Sequence, residues 1–241
     1  VLLAVTTVLC KSLGPIVLLV VGVAAMLVVR ARRSSLALVS LALFPVAYMV
    51  LRSTGIWSFQ SVVDWTTDVT DAQRGGSLGV RVESETVLIE HAMKRPWLGW
   101  GGWGRNRPDG MKDLLTDGLW AIYFAQGGLL RVVAFVATQL TPVLLVVRRI
   151  PASDWLRPQA AAVACLATVL ALAATDNLFN AGVAPTYTLM MGAVTGACAQ
   201  GYAARKGRAP LGPPRAGSAR GRFVREGRRP PERFGRGQYR S

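Results

Sequence analysis

The sequence predicts an all-α, polytopic transmembrane helix bundle with about five full spans, a partial one at the N-terminus and one large external loop. Three observations predict it. The mean hydropathy is +0.35 and 51% of the 241 residues are hydrophobic, too apolar for an ordinary soluble domain. The apolar residues fall in uncharged blocks near the ~20 residues that a helix needs to cross ~30 Å of hydrocarbon. The basic residues cluster between blocks in an order that satisfies the positive-inside rule.

Taken in order, residues 1–10 (VLLAVTTVLC) resemble the second half of a span. With a start at Val1 and no signal-peptide pattern, they predict that the chain is a fragment. Residues 14–29 and 34–51 are uncharged, with Arg30, Arg32 and Arg33 between them. Residues 119–147 return across the membrane to Arg148 and Arg149, residues 158–175 go out, and 182–204 come back. With the basic clusters cytoplasmic, residues 53–117 form the external loop. The transmembrane region covers 1–203, and residues 204–241 form a tail. From 205 onward that tail holds twelve Arg or Lys against two Glu, a net +10 of the chain's +15. It is rich in Gly, Pro and Arg without apolar periodicity, which predicts a disordered cytoplasmic segment drawn to anionic lipid. Its sparse aromatics (Phe223, Phe234 and Tyr239) argue against an RNA-binding segment. Cys10, Cys165 and Cys198 lie in apolar runs without metal or redox spacing and read as packed thiols.

Two features complicate the spans. Gly127-Gly128 interrupts the third apolar run, so residues 118–126 are expected to form a short interfacial helix before the span proper. Arg131, one turn inside, either snorkels to the interface or faces a wet cavity.

Within the loop, residues 77–95 read as a helix, with Val82, Thr86, Ile89 and Met93 on an apolar stripe and Pro96 as the stop. The stretch EHAMKRPWLGWGGWGRNR (90–107) follows, with Trp97, Trp100 and Trp103 at every third position. Tryptophan favours the membrane–water boundary. Glycine accepts positive φ, so Gly99 and Gly101 could bring backbone amides to a ligand. Arg81, Arg95 and Arg105, with Arg131 approaching from the membrane side, offer planar forks suited to phosphate. Two readings stay open on the residues alone: a site for an anionic lipid headgroup, or a loop that only anchors to lipid phosphates. Asp109, Asp113 and Asp117 could share a helical face as a cation site, although a solvated face is the simpler account of them. The single histidine, His91, excludes a multi-histidine metal centre, and no hydrolase, metalloprotease or phosphate-loop motif is present.

The order of motifs resembles the C-terminal half of the O-antigen ligase and O-antigen polymerase family of bacterial envelope enzymes. Lys11-Ser12-Leu13-Gly14 stands where the family has a small basic motif that opens a span. Arg81 precedes Pro96-Trp97-Leu98-Gly99-Trp100-Gly101, a Pro-x-x-Gly-x-Gly match. Thr116-Asp117-Gly118-Leu119-Trp120 leads to Gly127-Gly128, with Asp117 where the family has a histidine. The hairpin at 176–192 is similar to the last outer turn of some members. The resemblance implies a glycosyltransferase of the bacterial inner membrane, active on the periplasmic side. It would move a glycan from undecaprenyl diphosphate to a lipid or glycan acceptor, with no metal or nucleotide cofactor. It implies donor contacts from Arg81, Arg95, Gly99, Gly101, Arg105, Arg131 and Lys11. Asp117 is then the candidate base and Arg81 the other catalytic residue, with His91 as rival base or bystander. A lipid-linked glycan flippase and a non-catalytic envelope protein are the alternatives.

Overall fold

A computed structural model describes residues 13–69, 72–102, 104–111, 114, 117–182 and 184–200, with the side chains of 13 and 72–75 left out of that description. Among these residues there are seven α-helices and no strand. They are α1 (Leu13–Arg32), α2 (Leu36–Ser53), α3 (Gln60–Val69), α4 (Ala72–Met93), α5 (Leu119–Arg149), α6 (Pro158–Asp176) and α7 (Pro185–Ala199), with a 3-10 turn at Ala152–Asp154. Four of them, α1, α2, α5 and α6, are long and apolar enough to cross a membrane. The chain is therefore a membrane-embedded helical protein. The interior prolines Pro45 of α2 and Pro142 of α5 fit that setting, because packed neighbours tolerate proline within membrane helices.

The expected last span, 182–204, is shorter than its apolar run. Pro185 sits in the first turn of α7 and blocks extension backwards, and helix is described only to Ala199. At ~1.5 Å per residue, α7 is about 22 Å long. The expected break in the third run is present inside α5, where Gly128 adopts φ 62° and ψ −161°. The partial first span, Lys11 and the tail lie outside the described residues.

Two apolar clusters hold the fold. One joins Val29, Leu38 and Ala42 to Val143, Val146, Ile150 and Trp155, and onward through the α6 alanines to Val194 and Cys198. The small α6 face (Ala160, Ala164, Ala167, Ala171) lets neighbouring helices approach closely. The other cluster lies at the opposite end of the bundle. There Tyr48 and Met49 of α2 meet Val63 of α3, Leu88, Ile89 and Ala92 of α4, and Trp120, Ile122 and Phe124 of α5. Helices α3 and α4 thus cap the end at which α2 and α6 finish and α5 begins.

Candidate functional site

The capping layer is fixed by a cluster that spans α2 and α4. Arg52, in the last turn of α2, is 6% exposed, and all five of its N–H donors are matched. Its Nε donates to Glu85 Oε1 at 2.9 Å. One terminal nitrogen donates to the carbonyls of Trp57 and Ser58, at 3.3 and 3.0 Å. The other donates to the Val82 carbonyl and Thr86 Oγ1, at 3.2 and 2.9 Å. Tyr48, one turn earlier on α2, donates its hydroxyl to the same Glu85 oxygen at 3.0 Å. The Tyr48 ring meets Trp57, Phe59, Trp120 and Phe179 edge-on. Burial raises the Glu85 carboxyl above the usual range, and the bonds from Arg52 and Tyr48 pull it partly back.

One turn before Glu85, Arg81 projects from α4 and its Nε contacts Asp117 Oδ2 at 3.0 Å. The two side chains are 42% and 38% exposed, so this pair meets solvent. Asp117 is held from behind. Leu119 donates its amide to the Asn177 carbonyl at 3.0 Å, docking the start of α5 on the turn after α6. Gly118 must be glycine there, since a Cβ would lie 2.6 Å from the Leu178 carbonyl oxygen. Asp109 and Asp117 do not share a helical face, because no helix is described between α4 and α5, and Asp113 lies outside the described residues.

The glycine- and tryptophan-rich stretch has a different role from the one expected of its amides. It fills the break in α5. Trp100 and Gly101 donate their amides to the carbonyls of Ala125 and Gln126, each at 2.8 Å. Leu129 and Leu130 donate back to the carbonyls of Pro96 and Trp97, at 2.7 and 3.4 Å. The orphan backbone groups on both sides of the break are thereby matched. Gly99 donates to the Arg95 carbonyl. The expected anion cradle is thus not formed by the Gly99 and Gly101 amides, which are already spent on carbonyls. The fit is close: at Gly99, with φ 64°, a Cβ would stand 2.6 Å from the Gln126 carbonyl carbon.

Three of the expected phosphate ligands gather around this plug. The Arg95 guanidinium lies 4.2 Å over the Trp100 ring. Arg105 lies against Gly101, where a Cβ would be 3.5 Å from its guanidinium. Arg131 donates to Gln126 Oε1 at 2.6 Å and lies over Tyr123. Trp97 and Leu98 are exposed beside them. His91 is buried, stacks on Trp100 with centroids 4.4 Å apart, and accepts the Trp100 indole N–H on its carbonyl. Its ring packs against Trp100 at the end of α4.

The expected donor residues described here fall into two groups, Arg81 with Asp117, and Arg95, Arg105 and Arg131 around the plug. Sequence reasoning also missed Arg52, Tyr48 and Glu85. Their signal was an arginine closing an apolar span with a tyrosine one turn before it, and a glutamate one turn after Arg81 on the loop helix, beside Val82, Leu88 and Ile89.

Fold and site define a class: a membrane-embedded helical bundle capped at one end by a helical layer that carries a solvent-facing arginine–aspartate pair. No family model matches the chain, and no curated protein or solved structure matches it.

Proposed function

We propose that the chain is an integral membrane glycosyltransferase of the O-antigen ligase or polymerase type, using a glycan on undecaprenyl diphosphate as donor and a lipid or glycan as acceptor. The observation that carries the reading is the Arg81–Asp117 pair, half open to solvent on a rigid mount at one end of an apolar bundle. An acceptor hydroxyl that approaches Asp117 gives its proton to the carboxylate. Its oxygen forms the bond to the sugar C1 as the C1–O bond to the diphosphate breaks, and the leaving diphosphate takes the electron pair. Arg81 neutralises the charge that develops there. Its planar fork matches two phosphate oxygens. The plug with Trp97, Leu98, Arg95, Arg105 and Arg131 serves as the anchor at lipid height. The residues outside the described set, Lys11 among them, keep their expected donor role in this reading.

The reading carries a topology. Residues 53–117 lie on the periplasmic side of the bacterial inner membrane, and the loops at Arg33 and Arg148, with the tail, are cytoplasmic. About five spans result, with α7 as the short last one and a partial span before α1. An impermeant thiol reagent applied to intact cells should label Ser61→Cys and spare Ser218→Cys in a background without native cysteines. The reverse pattern overturns the topology and the site together.

The chemistry is tested by glycan transfer in the full-length protein. Arg81→Ala should lower transfer by ~30-fold to 1,000-fold, the usual cost of losing a charge-assisted contact to a departing anion. Arg81→Lys should fall between. Asp117→Asn should slow turnover while donor retention is kept. Wild-type transfer by Arg81→Ala would leave the pair a structural contact and end the enzymatic reading.

A further inference from the structure

At the far end of the bundle, away from Arg81, α1 is the least covered of the apolar helices. Val17, Leu19, Val20, Val23, Leu27 and Val28 are all exposed. A groove of 320 Å³ runs between α1 and α6. Gly22 forms its floor, where a Cβ would come 2.6 Å from Leu172 Cδ1, and Val23, Met26, Leu27 and Val169 line its walls. The lining is apolar apart from Thr168, whose hydroxyl donates to the Ala164 carbonyl, and Arg30, which stands at one end beside Leu156.

Two measures say what fits. From Leu19 to Arg30 the groove follows α1 for about 16 Å, close to the ~15 Å depth of one leaflet of a 30 Å hydrocarbon core. Its volume suits an extended acyl chain and not a helix, which needs a width of ~10 Å. The charge at its mouth says which lipid. The cluster around Val29, Val146 and Trp155 brings the ends of α1 and α5 together, so Arg30, Arg32, Arg33, Arg148 and Arg149 share this end. Among the described residues the one acid there is Asp154, which is buried and holds Arg157 at 3.1 Å. No ion pair among the described residues takes Arg30.

We propose that this groove binds one anionic phospholipid, with an acyl chain along Gly22 and its phosphate on Arg30. The inference rests on membrane embedding alone and stands apart from the glycosyl-transfer reading. The test is native mass spectrometry of the full chain in mild detergent, with phosphatidylglycerol and phosphatidylcholine supplied in equal amounts. One phosphatidylglycerol should be retained over phosphatidylcholine by about fivefold, the factor that one arginine near an anionic surface contributes. Arg30→Gln should remove the preference. Val23→Phe and Leu27→Phe, two independent ways to fill the groove from exposed positions, should lower retention of both lipids. Val20→Phe, exposed on α1 but outside the groove, should change neither. Equal retention of the two lipids, a preference that survives Arg30→Gln, or groove-filling variants that behave like Val20→Phe would each overturn the proposal.

Discussion

One turn of α4 separates Arg81 from Glu85, and the ion pairs that these two residues make differ in burial, saturation and use. Arg52–Glu85 is nearly sealed, and every N–H of the guanidinium has an acceptor. Arg81–Asp117 is about two-fifths exposed, and among the described residues Asp117 is the partner of Arg81. A guanidinium with five acceptors has nothing left to offer a ligand. A half-open one can exchange its carboxylate for phosphate at small cost, because both states are solvated. Two guanidinium–carboxylate pairs thus differ in what they leave free: the buried one ties α4 to α2, and the open one keeps a face that solvent reaches.

The first way to break this comparison is to remove the buried arginine. Arg52→Ala leaves Glu85 enclosed without its counter-charge and strips the Trp57, Ser58 and Val82 carbonyls of their donor. A loss of about 3–5 kcal/mol is expected, as for other broken buried pairs, read as a lower melting temperature by tryptophan fluorescence in detergent. A change too small to resolve would mean that the cluster is not what seats the capping layer. Glu85→Gln sharpens the point. Burial already favours the protonated form of Glu85, and the amide oxygen can still accept from Tyr48 and Arg52, so the variant should be milder than Arg52→Ala. The pH dependence has a definite sign. An acid whose folded pKa lies above its unfolded one contributes stability at low pH that is lost as pH rises towards the folded value. The melting temperature of the native chain should therefore fall relative to Glu85→Gln as pH is raised from about 4, and a gap that does not move with pH would contradict the burial.

Next in size is the plug. Gly99→Ala forces a side chain into positive φ and onto the Gln126 backbone. A cost of roughly 1–3 kcal/mol is expected, with faster amide exchange at Trp100 and Gly101 as their bonds to α5 loosen. Because Trp100 of the plug stacks on His91, about 15 Å along α4 from Arg81, residual transfer by the folded fraction should stay near native. A catalytic defect larger than the folding defect would return Gly99 to the donor site.

What was legible in the sequence follows from the range of the forces involved. Apolar runs are local, and they placed α1, α2, α5 and α6 to within a few residues. Gly127-Gly128 announced a break for the same reason. Pro96 marked the stop of the loop helix, which starts at Ala72 and not at 77, while α3 (Gln60–Val69) was not anticipated. The pairing of Arg81 with Asp117 was legible only as two candidates, since 36 positions of chain separate them. The glycine stretch was misread because a glycine that serves a ligand and one that serves another backbone look alike in one dimension. Both need positive φ and close approach, and only the partner differs. Arg52 was passed over as a charge at the end of a span, where snorkelling is the usual outcome. Its Glu85 acceptor comes from a separate helix.

The smallest expected effect is the most telling one. Removing the open pair should barely change stability, because exposed ion pairs contribute ~0.2–1 kcal/mol once side-chain entropy and screening are counted. Arg81→Ala and Asp117→Asn should therefore melt within a few degrees of the native chain, while Arg52→Ala melts far below it. The double variant should lose close to the sum of the two singles, since the coupling between two half-solvated groups is weak. Raising the salt concentration should narrow even this small difference while leaving the Arg52→Ala gap in place, because ions screen the exposed pair and cannot reach the sealed one. If Arg81→Ala instead destabilised the chain as much as Arg52→Ala, both pairs would be struts, and Arg81 would not be free to meet an anion.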